Sequence, residues 1–110
     1  MTVNRKLITV NKIMRLTHQE VSIIKAAVNR RDPEAKTYLF GSRTDDGKRG
    51  GDMDLLVMSE KIDAGDKTTI ITDIIMELHD RLGEQKIDMV VAADASRPFV
   101  RIALEQGVAL

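Results

Sequence analysis

Apolar residues recur along the chain with two periods, and the change from one to the other marks out its elements. Val21, Ile24 and Val28 stand at helical spacing behind Thr17-His18-Gln19-Glu20. That order is a capping box, in which the threonine hydroxyl and the glutamate carboxylate each take a backbone N–H at the helix start, and Leu16 and Val21 sit where a hydrophobic staple packs. The spacing predicts a helix from Thr17, closed by Arg30, Arg31, Asp32 and Pro33, with a connection over Glu34 to Lys36. Thr37 to Phe40 reads as a first core strand. Met53 to Met58, apolar apart from Asp54, reads as an interior strand covered by helices.

Ser59 to Gly65 is expected to be polar linker. Ile71, Ile74, Ile75, Leu78 and Leu82 then form one stripe of a long amphipathic helix from about Asp66 to Leu82, with Gly83 placed to end it. Lys86 to Ala92 is a third strand whose single acid is Asp88. Ser96 is expected to cap a last helix through Phe99, Ile102 and Ala103 to about Gln106, with Pro98 tolerated in its first turn and Gly107 past its end. Leu7-Ile8-Thr9-Val10 favours β structure, so residues 1–16 read as an N-terminal leader or edge strand ahead of one domain over residues 17–110. No internal repeat or low-complexity tract interrupts it. Together these elements make an α/β unit of at least three strands with helices between them.

Composition narrows the partners. A chain of 110 residues with 43% hydrophobic residues can bury one modest core. Its 17 Lys and Arg balance 17 Asp and Glu, so the whole chain presents no positive field for a polyanion, and non-specific coating of duplex nucleic acid is not expected. The absence of Cys excludes disulfides and thiolate metal sites. No long apolar run suggests a signal peptide or a membrane span, and the expected location is cytoplasmic.

The candidate chemistry is concentrated in one stretch, from Phe40 to Leu55. Leaving the first strand, the chain passes through four glycines and three basic residues, Arg43, Lys48 and Arg49, and enters the second strand through Asp52 and Asp54. Alternate strand residues share a face, so these two carboxylates are expected about 7 Å apart along one side. Carboxylates held side by side repel unless a cation lies between them. Hard oxygen donors without Cys or His point to Mg²⁺ or Mn²⁺ rather than zinc. A Gly41-Ser42 turn can offer backbone N–H groups to phosphate, which completes a layout for a nucleoside triphosphate.

Each of these pieces also has a plain structural reading. With 11 Asp in the chain, one Asp-x-Asp arises readily by chance. Its position at the start of a buried strand is what raises it, since an unpaired carboxylate there costs several kcal/mol. A purely structural account would pair the acids with Arg43, Lys48 or Arg49. Gly47-Lys48 is not a Walker loop, because Arg49 stands where that motif needs Ser or Thr. His18 and His79 are expected at the surface, away from the motif. Met53, Met58, Met76 and Met89 are expected in the core. Tyr38, Phe40 and Phe99 are the only aromatics, too few for a platform that stacks several bases.

Gly41-Ser42, nine intervening residues, Asp52-Met53-Asp54-Leu55 and then Ile87-Asp88-Met89-Val90 resemble the signature of the nucleotidyltransferase superfamily that includes the DNA polymerase beta palm. The small size and the ending Glu105-Gln106-Gly107-Val108-Ala109-Leu110 resemble its minimal nucleotidyltransferase branch. The likeness runs from about Thr17 onward. Gly51 departs from it, standing where a Ser is common before the first acid. The fold that this resemblance implies is palm-like, a small mixed β-sheet flanked by helices (α+β).

In the mechanism the resemblance implies, Asp52, Asp54 and Asp88 are metal ligands and catalytic residues. Asp52 and Asp54 hold two Mg²⁺ ions that bind ATP or another NTP, and Asp88 completes the second site and helps to activate an acceptor hydroxyl. Gly41, Ser42 and Arg43 receive the phosphates, with Lys48 and Arg49 in lesser roles. The product is a nucleoside monophosphate, AMP above all, joined to the acceptor. Little chain is left to bind that acceptor, so a partner or a second copy must supply the surface. In the minimal branch the partner is a helical HEPN-type protein, often a toxin ribonuclease, which the nucleotidyltransferase counters as an antitoxin by adenylylating a tyrosine. Two other readings stand beside this one. A non-catalytic nucleotide-binding subunit could mask its partner, although masking does not require three aligned acids. Transfer to a small molecule such as an aminoglycoside lacks a second domain to hold the acceptor.

Overall fold

The computed structural model describes residues 16–40 and 53–110. Helix α1 (His18–Arg31) begins on the expected capping box: Thr17 Oγ1 accepts from Glu20 N at 3.1 Å, and Glu20 Oε1 accepts from Thr17 N at 2.9 Å. Leu16 and Val21, the two ends of the staple, are both buried in the main core. Strands β1 (Lys36–Phe40) and β2 (Met53–Met58) follow, then a short helix α2 (Glu60–Ala64) and the long helix α3 (Lys67–Leu82). Strand β3 (Ile87–Ala92), helix α4 (Pro98–Gln106) and the two-residue strand β4 (Val108–Ala109) complete the described chain.

Among the described residues the sheet has four strands in the order β3-β2-β1-β4. β1 runs antiparallel to β2 and to β4, whereas β2 and β3 are parallel. The parallel pair follows from the connection, because a chain that crosses over through α2 and α3 returns in the direction it left. The sheet is therefore mixed and flanked by helices, as the resemblance implied.

Strand alternation sorts the side chains onto two faces. Leu39, Met53, Leu55, Val57, Ile87 and Val91 point to one side, where Val21, Ile24 and Val28 of α1 and Ile74 and Leu78 of α3 close over them. Tyr38, Phe40, Leu56, Met58, Val90 and Ala92 point to the other, against Val100, Ala103 and Leu104 of α4. Arg30 and Arg31 of α1 both pair with Glu77 of α3, tying the helices together at the surface above the first core.

Three local expectations are corrected. Ser59 to Gly65 is not simply linker: Ser59 Oγ accepts from Ile62 N at 2.9 Å and starts α2, which buries Ile62. Ser96 does not cap α4; Arg97 holds that position without a side-chain bond, and Ser96 N donates instead to Asp94 Oδ1 at 3.0 Å. Met76 is 63% exposed, because it lies about 200° around the helix from Ile74, which faces the sheet. Phe99 and Ile102 also lie outward on α4, whose inward residues are Val100 and Ala103. No helix among the described residues is long and apolar enough to cross a membrane.

Candidate active site at the head of the central strands

β2 opens on Met53, whose N–H donates to Lys86 O at 2.9 Å and starts the parallel ladder with β3. One step along that ladder, Asp54 and Asp88 are direct register partners. They sit on the face that carries Leu56 and Val90, two residues further along their strands, so both carboxylates leave the sheet on the side of α4. Adjacent strands lie about 5 Å apart, which places the two acids side by side. Asp54 is half-buried on an interior strand, and Asp88 is exposed on β3, at the edge of the described sheet.

On its other side Asp54 is the register partner of Phe40, the last residue of β1. Asp88, Asp54 and Phe40 thus form one row across the end of three strands. Phe99 of α4 meets Phe40 edge to face, with ring centroids 5.6 Å apart and planes inclined by 72°. Phe40 and Met53, which bound the segment 41–52, both lie at this end of the sheet.

Like charges directly opposite on neighbouring strands destabilise a sheet. Two carboxylates in register on one face are a suitable arrangement for a hard divalent cation, whose oxygen ligands they can be. Among the described residues no group of three or more His, Cys, Asp or Glu side chains gathers that could hold a metal ion. Asp52, Gly41, Ser42, Arg43, Lys48 and Arg49 lie outside the described residues.

The other end of the sheet is chemically different. A cavity of about 610 Å³ opens there, lined by Asp32, Lys36, Ser59 and Lys61 among others. Asp32 accepts from Ser59 Oγ at 2.6 Å and from Glu34 N at 3.0 Å. The Ser59 hydroxyl, then the Glu34 N–H, hold its carboxyl below the ordinary Asp value, with Lys61 assisting and burial opposing. Because Ser59 also caps α2, this group joins the end of α1 to the start of α2 and its polar atoms are already matched. His18 is exposed, as expected, whereas His79 is half-buried, its Nε2 lying 2.8 Å from Gln85 O beyond the end of its own helix.

The meeting of Phe99 with Phe40, the register partner of Asp54, was not expected from the sequence. A signal was present in Phe40, which ends the strand just before the glycine loop, but the register that sets it opposite Asp54 is a tertiary fact.

Residues 21–110 match the family described as Polymerase beta, Nucleotidyltransferase, and the chain belongs to that family. No curated protein matches the chain.

Proposed function

We propose that the protein is a Mg²⁺-dependent nucleotidyltransferase that moves a nucleoside monophosphate, AMP from ATP, onto a hydroxyl acceptor. The observation that carries this reading is the register pairing of Asp54 with Asp88 on one face of the sheet, in a chain of the nucleotidyltransferase family. The donor set is all oxygen and suits Mg²⁺ or Mn²⁺. Asp54 and Asp88, with Asp52 two residues before Asp54, would hold the metal. When bound, the metal supplies charge stabilisation for the attacking and leaving oxygens of an in-line displacement.

The protein's own residues position and neutralise. In the reaction the acceptor oxygen bonds to the α-phosphorus, the bond to the bridging oxygen breaks, and pyrophosphate leaves with that electron pair. The acceptor proton passes to Asp88, the more exposed of the two acids, on the edge strand that an incoming hydroxyl can reach. Arg43, with Ser42 and Gly41, would receive the triphosphate through charge-assisted and backbone hydrogen bonds, and Lys48 and Arg49 would assist. The acceptor that the family resemblance suggests is a tyrosine of a HEPN-type protein partner, with the chain acting as its antitoxin.

The test is incubation with ATP labelled at the α-phosphate, Mg²⁺ and lysate from the source cells, followed by separation of protein, RNA and small molecules. Label entering one fraction with the wild type, and not with the Asp54→Asn, Asp88→Asn double variant, establishes transfer and names the acceptor class. A double variant that labels the same fraction as well as the wild type would remove these acids from the chemistry. Persistence of partner neutralisation in that variant would favour masking instead.

A further inference from the structure

We propose that Phe99, braced by Phe40, is the platform on which the base of the nucleoside triphosphate stacks. This rests on the nucleotidyltransferase reading above and adds the residue that holds the base.

All three aromatics of the chain, Tyr38, Phe40 and Phe99, lie on the face of the sheet that carries Asp54 and Asp88. Phe40 is the register partner of Asp54 and is half-buried against α4. Phe99 sits above it and is 47% exposed, although Val100 and Ala103 already bury the inward side of the helix. Its ring is thus not needed to close the core. An edge-to-face contact with Phe40 fixes the ring yet leaves at least one of its two faces uncovered by Phe40, whichever ring supplies the edge. A fixed aromatic face open to solvent is what a nucleobase stacks on, with little preference among bases.

The spacing agrees. One strand step separates Asp54 from Phe40, and 5.6 Å separates the Phe40 ring from that of Phe99. The path from the acids to the platform is on the order of 10 Å, the scale on which a ribose separates a base from its phosphates. Ile102, three residues on from Phe99 and 51% exposed, continues the apolar surface along the same side of α4.

The experiment measures binding of Mg²⁺-ATP and of Mg²⁺-tripolyphosphate, which has no base, by titration calorimetry to the wild type, Phe99→Ala and Phe99→Trp. Loss of one stacked base should weaken Mg²⁺-ATP by about tenfold or more in Phe99→Ala. Mg²⁺-tripolyphosphate should bind that variant as it binds the wild type, and Phe99→Trp should restore ATP affinity. The chain has no Trp, so the new indole is also a single reporter, expected to be quenched by Mg²⁺-ATP and not by Mg²⁺-tripolyphosphate. Equal affinity of wild type and Phe99→Ala for Mg²⁺-ATP, or an indole that does not respond at saturation, overturns the platform and leaves the transferase reading standing. Equal loss of both ligands in Phe99→Ala overturns it too, because the effect is then not on the base. A wild type that binds neither ligand overturns this inference together with the reading beneath it.

Discussion

Asp54 of β2 and Asp88 of β3 are partners in a parallel register, so two carboxylates that stand 34 positions apart in sequence share one face of the sheet at its open end. A divalent cation bound by both carboxylates in the folded state, and not by the unfolded chain, should stabilise the fold. At about 100 times its dissociation constant a ligand adds roughly 2.7 kcal/mol. Thermal melting is expected to show the wild type rising in Mg²⁺ or Mn²⁺ and Asp88→Asn rising much less. Identical metal responses in the two proteins would take Asp88 out of the site.

The two helices over the main core are joined by ion pairs outside and apolar contact inside, and the second should dominate. Glu77, itself partly buried, pairs with Arg30 and with the partly buried Arg31 at the rim of the core, where solvent still screens the charges and such pairs contribute on the order of 1 kcal/mol each. Leu78, its neighbour, is fully buried, and emptying such a site costs about 2–5 kcal/mol. Urea unfolding should rank Leu78→Ala as far more damaging than Glu77→Gln, and only the Glu77→Gln difference should shrink in high salt.

Acid should weaken the link between α1 and α2. The Ser59 hydroxyl and the Glu34 N–H hold the Asp32 carboxyl below the ordinary value of 3.8. A group depressed in the folded state stabilises the fold above its unfolded value, and that contribution is lost as pH falls through the folded value. The melting temperature of Asp32→Asn is expected to lie below that of the wild type near neutrality, with the gap closing below about pH 4. A gap that stays constant with pH would mean that the charge of Asp32 is not what matters.

Gly107 is required by space rather than by backbone conformation. Its φ of −82° suits any residue, but a Cβ there would lie 2.6 Å from Ala103 O and 3.0 Å from Leu39 O. Gly107→Ala must push α4 away from β1, at a cost of about 1–3 kcal/mol as for other overpacked sites. Denaturant melting should show that loss, and hydrogen exchange should quicken at Leu110 N–H, which donates to Thr37 O beside the β1–β4 pairing. Gly83 makes the contrast: it has open space around it but φ of 92°, so Ala is strained there by conformation alone.

Much of this was legible in the chain because it is local. The capping box at Thr17, the apolar run of β2 and the stripe of α3 depend on neighbours within a few residues, and the structure reproduces each of them. Ser59 was missed as a helix start because α2 is only five residues long and owes its place to burial of Ile62. The strand β4 was missed because two residues carry no periodicity; they are held by pairing with Tyr38 and Leu39. The outward turn of Met76 was missed because apolar residues at helical spacing do not say which side of the helix meets the sheet.

For the site, the sequence by itself determined the family: the acids, the glycine loop and their order resemble one superfamily, and the match over residues 21–110 bears the family out. Only the tertiary structure decided which side chains meet. The crossover through α2 and α3 returns β3 parallel to β2, and the resulting register sets Asp88 beside Asp54 and Asp54 beside Phe40. Side-chain spacing within a strand is fixed by covalent geometry, whereas register between strands is set by how the whole core packs.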